Sequence, residues 1–451
     1  MTDGPNERLQ TLFQAAGWDC ARGSRVLRAV AVEQGLRVSY DRKTVQRWLR
    51  GAKPRPPAPA LLLEGLSRAL GRLVTAHEAG LTHAPSTLVD LSWDAAPSHR
   101  IARLAYAEVS HASTASDAQG FSVAALLLPD WLRAEPPARS ASRALPWTED
   151  VSEIYDMISM FDTAAGVHGG GHLRIPAAGY LMDHVVPLFR PPAIEPGDPE
   201  LRAAAARFIL LLADLCVDSG LDRSAQQYQQ VAVRIGFGAG DAATVAAGLS
   251  SMVAHAQELG HHEPAVVALA ERAVVLAGQA PPAVRSCALA QLAFLEAQGD
   301  RRAALATLTR AERLHREAVA TPDPVATYSL AALQCQRAST FVALGDTAGA
   351  VRALAASLRA RGPDERCATA IAHARIAELC ASLGRFEQSV EHSRAFLSVY
   401  PTLHSARAAR RLDSLCRQLH ARETEPVVRA FLSQERPCGR PAPRGAVNRA
   451  I

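Results

Sequence analysis

A short basic stretch near the N-terminus carries the residues best suited to a binding chemistry. At helical spacing, Val45, Trp48 and Leu49 share one apolar face. The opposite face carries three cations and one amide: Lys43, Gln46, Arg47 and Arg50. Arginine and lysine pair with guanine edges or phosphates in a DNA major groove, and glutamine pairs with adenine. The pattern therefore predicts a helix that contacts DNA and is held by an apolar anchor.

Further cations flank this helix. Arg42 lies at its start and Lys53 just beyond its end, where both would reach phosphates and make the affinity dependent on salt. Residues 1–81 carry 13 Lys and Arg against 7 Asp and Glu, whereas the other residues carry 36 against 37. The predicted DNA-binding residues are therefore Arg42, Lys43, Gln46, Arg47, Arg50 and Lys53. The alternative is a solvated charged face on an ordinary helix.

Three more helices are predicted around the basic helix. An apolar stripe over residues 9–16 predicts a first helix, and Asp19 can cap a second. Asp41 can cap the basic helix, which Gly51 ends, and the leucines of residues 60–70 would close the core. This order of helices is typical of a helix-turn-helix domain.

A self-similar pattern occupies the C-terminal half. A glycine ends an apolar helix five times, at Gly220, Gly260, Gly299, Gly345 and Gly384. Five positions later come Ala225, Ala265, Ala304, Ala350 and Ser389, and twelve positions later come Ala232, Arg272, Ala311, Ser357 and Phe396. This spacing is that of the tetratricopeptide repeat, in which two antiparallel helices touch at a small residue. The intervals exceed the usual ~34 residues, so we predict divergent repeats, with other helical-hairpin solenoids as alternatives for individual units.

A glycine-rich segment at residues 166–172 is the other candidate for chemistry. A phosphate-binding loop would need a lysine and a preceding strand, and this segment has neither. His168 and His172 have the spacing of metal ligands on a helix, but three intervening glycines disfavour a helix. We interpret the segment as a glycine turn between two helices.

The predicted fold class is all-α, with an N-terminal helix-turn-helix domain followed by a tetratricopeptide-repeat-like α-solenoid. Five regions make up this prediction: a helix-turn-helix domain over 1–81, a linker with short helices over 82–148, connecting helices over 149–196, repeats with a capping helix over 197–425, and a disordered tail over 436–451.

Several strings of residues carry a family resemblance: Ala16-Gly17-Trp18, Tyr40-Asp41-Arg42, Val45-x-x-Trp48-Leu49-Arg50-Gly51, Pro54-Arg55-Pro56 and Ala69-Leu70-Gly71-Arg72. Together they resemble the helix-turn-helix domain of a family of actinomycete regulators that also carry tetratricopeptide repeats. A later string, Gly179-Tyr180-Leu181 with Val185, Pro187 and Leu188, belongs to the same family pattern. Some members are described as negative regulators of differentiation and antibiotic production, so the resemblance implies a role in transcription.

The sequence thus predicts a cytoplasmic transcriptional regulator. Its helix-turn-helix would bind DNA, and its repeats would bind a protein, peptide or ligand and support a homodimer. We expect no membrane partner, because no apolar run reaches the ~18 residues of a membrane span and the N-terminus does not resemble a signal peptide. The alternative is a protein-protein interaction scaffold that does not bind DNA.

No enzyme activity is predicted. The chain has no HExxH, GxSxG, Walker or Rossmann fingerprint, and its cysteines occur singly without a CxxC pair. We therefore expect no catalytic residue, no cofactor and no metal.

Overall fold

The computed structural model describes residues 4–34, 36–81, 93, 97–110, 120–137, 149–189, 199–320 and 328–435. Within these ranges the chain forms 20 α-helices and no β-strand, so the predicted all-α class is confirmed. No helix of the described ranges is both long and apolar enough to cross a membrane. The predicted tail over 436–451 lies outside the described residues.

Four N-terminal helices surround one apolar core: α1 (Glu7–Ala15), α2 (Cys20–Glu33), α3 (Arg42–Leu49) and α4 (Ala58–Leu70). Helix α2 packs against α3 and α4, and α1 contacts both of them. Gly65 allows α4 to approach α2 closely, because a Cβ at this position would lie 2.9 Å from Cγ1 of Val26. The indole of Trp18 fills the same space, and its ring meets that of Phe13 edge-on at 5.4 Å.

Four helices follow in the middle of the chain: α5 (Pro97–Val109), α6 (Asp130–Arg133), α7 (Glu149–His168) and α8 (Arg174–Tyr180). The glycine turn predicted between two helices is confirmed, since Gly169 has a φ of +80° directly after α7. A Cβ at Gly169 would lie 2.8 Å from the carbonyl oxygen of His404, and the N–H of Gly171 donates to that oxygen at 2.8 Å. Glycine is therefore required by a close backbone contact.

Twelve helices make up the rest of the described chain: α9 (Pro199–Asp218), α10 (Asp222–Gly238), α11 (Ala242–Glu258), α12 (Pro264–Leu276), α13 (Pro282–Glu296), α14 (Arg301–Ala320), α15 (Leu330–Ala343), α16 (Thr347–Ala360), α17 (Arg366–Ser382), α18 (Phe386–Val399), α19 (Ala406–His420) and α20 (Pro426–Glu435). Helices α13 and α14, α15 and α16, and α17 and α18 pack as successive hairpins. Contacts of α13 with α15, of α16 with α17 and of α17 with α19 stack one hairpin on the next.

Each of these three hairpins brings its helices together at small residues. Ala304, Ala350 and Ser389, five positions after the respective glycines, are completely buried. In each pair, one serine hydroxyl donates to a backbone carbonyl of the facing helix: Ser286 to Ala311 at 2.8 Å, Ser357 to Ala331 at 2.7 Å and Ser389 to Ala377 at 2.9 Å. Such bonds require the backbones to approach closely, which explains why these positions carry Ala or Ser.

The second repeat carries an arginine, Arg272, in place of a small residue, and this side chain binds the chain around α6. Arg272 of α12 is half-buried, and its Nε donates to the carbonyl oxygen of Leu132 at 2.7 Å. A second guanidinium nitrogen donates to the carbonyl of Ala134. The chain around α6 therefore packs on α12 at a position where three of the other repeats carry Ala or Ser.

The helices divide into two compact units. The first contains Met1–Ile158, Arg174–Cys216 and Leu221–Ala280, and the second contains Ser159–Leu173, Val217–Gly220 and Pro281–Ile451. The first unit includes all four N-terminal helices together with α10, α11 and α12, and the second includes the three stacked hairpins.

The close contact within the α13–α14 hairpin can be tested by enlarging one alanine. Ala304→Leu places extra methyl groups against α13, and overpacking of this kind costs about 1–3 kcal/mol. We expect a lower melting temperature for the second unit in scanning calorimetry. The control is Ala306→Leu on the same helix, where the side chain is exposed. Equal melting temperatures of the two variants would show that the helices are not in close contact at Ala304.

Candidate nucleic-acid interface

Helix α3 is fixed by a cap and an apolar anchor. The Asp41 carboxylate accepts a hydrogen bond from the N–H of Thr44 at 2.7 Å and so begins the helix. Val45 is completely buried and Trp48 is 6% exposed, as predicted, and the Trp48 ring meets that of Tyr40 edge-on at 5.1 Å. Gly51, with a φ of +104°, follows the end of the helix. The orientation of α3 is therefore set by the core beneath it.

All six residues predicted to contact DNA are exposed. Arg42, Lys43, Gln46 and Arg47 lie on α3, Arg50 is its C-cap residue, and Lys53 follows shortly after. Within the described part of the chain, no salt bridge neutralises Arg42, Lys43, Arg47 or Arg50. Solvent-facing cations that are not held in a salt bridge retain much of their attraction for an external anion.

Two further arginines extend this face. Arg22 and Arg25 lie on the exposed side of α2. A hydrogen bond from the backbone of Arg22 is the main reason that the pKa of the Asp19 carboxyl is lowered, and the positive charges of Arg25 and Arg42 lower it further. The hydroxyl of Ser24 in α2 donates to the carbonyl of Tyr40, just before the α3 cap, at 2.6 Å, so the first turns of α2 and α3 lie beside each other.

We call the exposed set formed by α2, α3 and the C-cap of α3 the cationic surface: Arg22, Arg25, Arg42, Lys43, Gln46, Arg47 and Arg50. The two α2 arginines are not among the residues predicted from the sequence. The sequence does contain an indication of them: the two arginines are three residues apart, on the side of α2 opposite the buried Leu27 and Val30.

The capping carboxylate is held in its charged form. Hydrogen bonds from the hydroxyl and the N–H of Thr44 lower the pKa of the Asp41 carboxyl, and the charges of Arg47 and Lys43 act in the same direction. A carboxyl with a lowered pKa stabilises the folded state fully above its ordinary pKa. This stabilisation is lost as the pH falls through the lowered pKa.

No metal site accompanies the cationic surface in the described part of the chain. Across the described ranges, no group of three or more His, Cys, Asp or Glu side chains has the geometry of a metal site. What the cationic surface can do is bind a polyanion, with phosphates on the flanking cations and base edges on the central side chains of α3.

The N-terminal helices are similar to a known domain family. Residues 9–82 match the model described as the SP15 N-terminal domain. The match begins within α1 and extends beyond α4, so it includes the whole cationic surface. A search of curated proteins found no match. This match supports the resemblance for residues 9–82. Membership of the actinomycete regulator family stays a prediction.

Removal of the cap should loosen α3 specifically. Asp41→Ala deletes the acceptor for the Thr44 N–H, and we expect the amides of residues 42–49 to exchange with deuterium several-fold faster. Asp41→Asn keeps an acceptor oxygen and serves as the control, with exchange close to that of the unaltered protein. Unchanged exchange in Asp41→Ala would show that the cap does not stabilise α3.

Proposed function

We propose that the protein is a transcriptional regulator that binds DNA, with α2 and α3 acting as a helix-turn-helix. The observation that supports this proposal is the combination in α3 of a buried Val45 and Trp48 with an opposite face of exposed cations that form no salt bridge with the described residues. A rigid basic helix of this kind fits a major groove. The fold alone would not support the proposal, because helical domains serve many functions.

In this proposal the central side chains of the cationic surface contact bases and the flanking ones contact phosphates. Gln46 and Arg47 lie in the central turns of α3 and would read base edges. Arg22 and Arg25 lie in the first two turns of α2 and Arg42 begins α3, so these cations flank the centre and would contact phosphates. The proposal includes no catalytic step, no cofactor and no membrane partner.

Charge removal from α3 tests this function. We expect the full chain to bind duplex fragments of its own genome, and Arg47→Ala with Arg50→Ala to weaken that binding roughly tenfold or more. The slope of log affinity against log salt should fall by about 1 for each phosphate that the variant no longer neutralises. Fluorescence anisotropy titrations at several salt concentrations measure both quantities.

The matched control removes the same charge elsewhere. Arg310 and Arg316 of α14 are exposed, and Arg310→Ala with Arg316→Ala should leave DNA affinity and its salt slope unchanged. Equal decreases in affinity for both double variants would indicate a general charge effect. Absence of salt-sensitive binding by the unaltered protein would exclude the proposed function and favour the scaffold.

In this proposal the helical hairpins provide the partner site. A groove of about 190 Å³ opens between α15 and α16, and its lining includes Arg337, Phe341 and Arg352. Arg352 is exposed, and the Arg337 guanidinium lies over the Phe341 ring at 5.1 Å. Asp346 also lines the groove, and Arg337 pairs with Glu312 at 3.3 Å, so charges of both signs lie beside the aromatic ring. A groove of this mixed character suits a polar peptide segment. This supports a protein or peptide as the partner.

We also propose that the protein binds DNA as a homodimer, because a single helix-turn-helix makes few base contacts. Sedimentation of the full chain should give a dimer. Footprinting should show two protected half-sites about 34–36 Å apart, or a multiple of that distance. A monomer that protects one half-site would contradict the dimer. A stable protein complex that needs Arg352 but neither Lys43 nor Arg47 would favour the scaffold.

A further inference from the structure

A buried segment, residues 121–126, lies between α4 of the N-terminal helices and α10. Every residue from Phe121 to Leu126 is buried, although only Ala124–Leu126 forms a short 3-10 helix. An irregular buried stretch must find hydrogen-bond partners for its backbone, because an unpaired buried N–H or C=O is costly. Side chains from two different helices supply these partners.

On one side, glutamines of α10 bond to the backbone of the segment. Gln226 is completely buried, its Oε1 accepts from the N–H of Ser122 at 2.8 Å, and its Nε2 donates to the carbonyl of the same residue at 2.8 Å. Gln230 donates from Nε2 to the carbonyl of Ala125 at 2.8 Å and accepts from Arg100 at 2.6 Å. A side-chain amide can satisfy both groups of one residue because it carries a donor and an acceptor.

On the other side, one carboxylate of α4 bonds to the segment. Glu64 is 6% exposed, and its Oε1 accepts from the N–H groups of Val123 at 2.9 Å and Ala124 at 3.1 Å. Its Oε2 accepts from the hydroxyl of Ser122 at 2.5 Å. The N–H groups are those at the start of the 3-10 helix, so the carboxylate acts as a cap supplied from another helix.

Glu64 also connects this contact with α2. Arg68 donates from Nε to Glu64 at 2.7 Å and from Nη1 to Glu33 at 2.7 Å. Burial alone would lower the pKa of the Arg68 guanidinium, but the two carboxylates outweigh it and raise the pKa. A continuous set of hydrogen bonds therefore runs from α2 through α4 and the buried segment to α10, all within the first compact unit.

Building on the DNA-binding function proposed above, we propose that Glu64, Ser122 and Gln226 are positioning residues: they fix the helices that carry the cationic surface to α10 through the buried segment. The orientation of α3 then depends on α10 as well as on its own core. A change in α10 that breaks the Gln226 contacts would loosen α4 and lower DNA affinity without touching a DNA-binding side chain.

Hydrogen–deuterium exchange of the full chain tests this coupling without DNA. Gln226→Ala leaves the N–H and C=O of Ser122 unpaired, and we expect amides of α4, not only those of the segment, to exchange roughly tenfold faster. Ser122→Ala removes the hydroxyl that donates to Glu64 and accepts from the N–H of Ala125, but it leaves the two Gln226 bonds in place. We expect a smaller effect in the same direction. If Gln226→Ala does not fold, Ser122→Ala tests the coupling in its place.

The matched control is another buried glutamine of α10. Gln229 is completely buried but donates to Ser251 of α11 at 3.0 Å instead of to the segment. Gln229→Ala should therefore speed exchange around α11 and leave α4 unchanged. Faster exchange of α4 in both glutamine variants would mean general damage to α10 and would overturn the proposal. Unchanged α4 exchange in Gln226→Ala and Ser122→Ala would overturn it as well.

DNA affinity gives a second, separable result. If the unaltered protein binds DNA, Gln226→Ala should weaken binding roughly threefold to tenfold, because a less fixed surface loses more freedom on binding. Gln229→Ala should bind normally, and equal affinity of Gln226→Ala and the unaltered protein would contradict the positioning role. If the unaltered protein does not bind DNA, the proposed function fails, and the exchange comparison still decides whether the buried segment couples α10 to α4.

Discussion

Close contact between helix backbones is the constraint on which most of this structure depends. Only 5% of the residues are aromatic, and Ala or Ser occupies the contact positions of the three stacked hairpins. Helices must therefore approach until alanines and serines touch the facing backbone. The three serine–carbonyl bonds at Ser286, Ser357 and Ser389 are a consequence, because a hydroxyl reaches the facing carbonyl only at such a distance. Each such bond contributes about 1 kcal/mol to the free energy of unfolding. It also fixes the register of two helices whose contacting faces carry only small side chains.

A second constraint applies where an irregular segment is buried. Ala, Val and Leu side chains make residues 121–126 suitable for a core, but their backbone groups still need partners. Glu64, Gln226 and Gln230 supply them, so long polar side chains occupy positions that helical periodicity alone would reserve for apolar ones. The hydrogen bonds that pair these buried backbone groups also connect the helices of the candidate interface with α10.

The candidate interface could largely be predicted because its pattern is local. Asp41, Val45, Trp48 and Gly51 define the cap, the buried face and the end of α3 within eleven residues. Exposure of the opposite face follows from helix geometry. The arginines of α2 could not be predicted in the same way, because their place beside α3 depends on how two helices pack. DNA binding itself stays a prediction, since exposed cations also occur on ordinary helices.

By itself, the sequence determined the all-α class, the ends of many helices and the small positions that recur after the glycines, because capping and periodicity act over a few residues. Only the tertiary structure decided the role of residues 120–137, for which the sequence predicts a linker. Their hydrogen-bond partners are Glu64, Gln226, Gln230 and Arg272, which lie far away in the chain. No local pattern specifies such pairs. The free energy of a buried polar group depends on whether a hydrogen-bond partner lies beside it in the folded structure, however far apart the two residues are in the sequence.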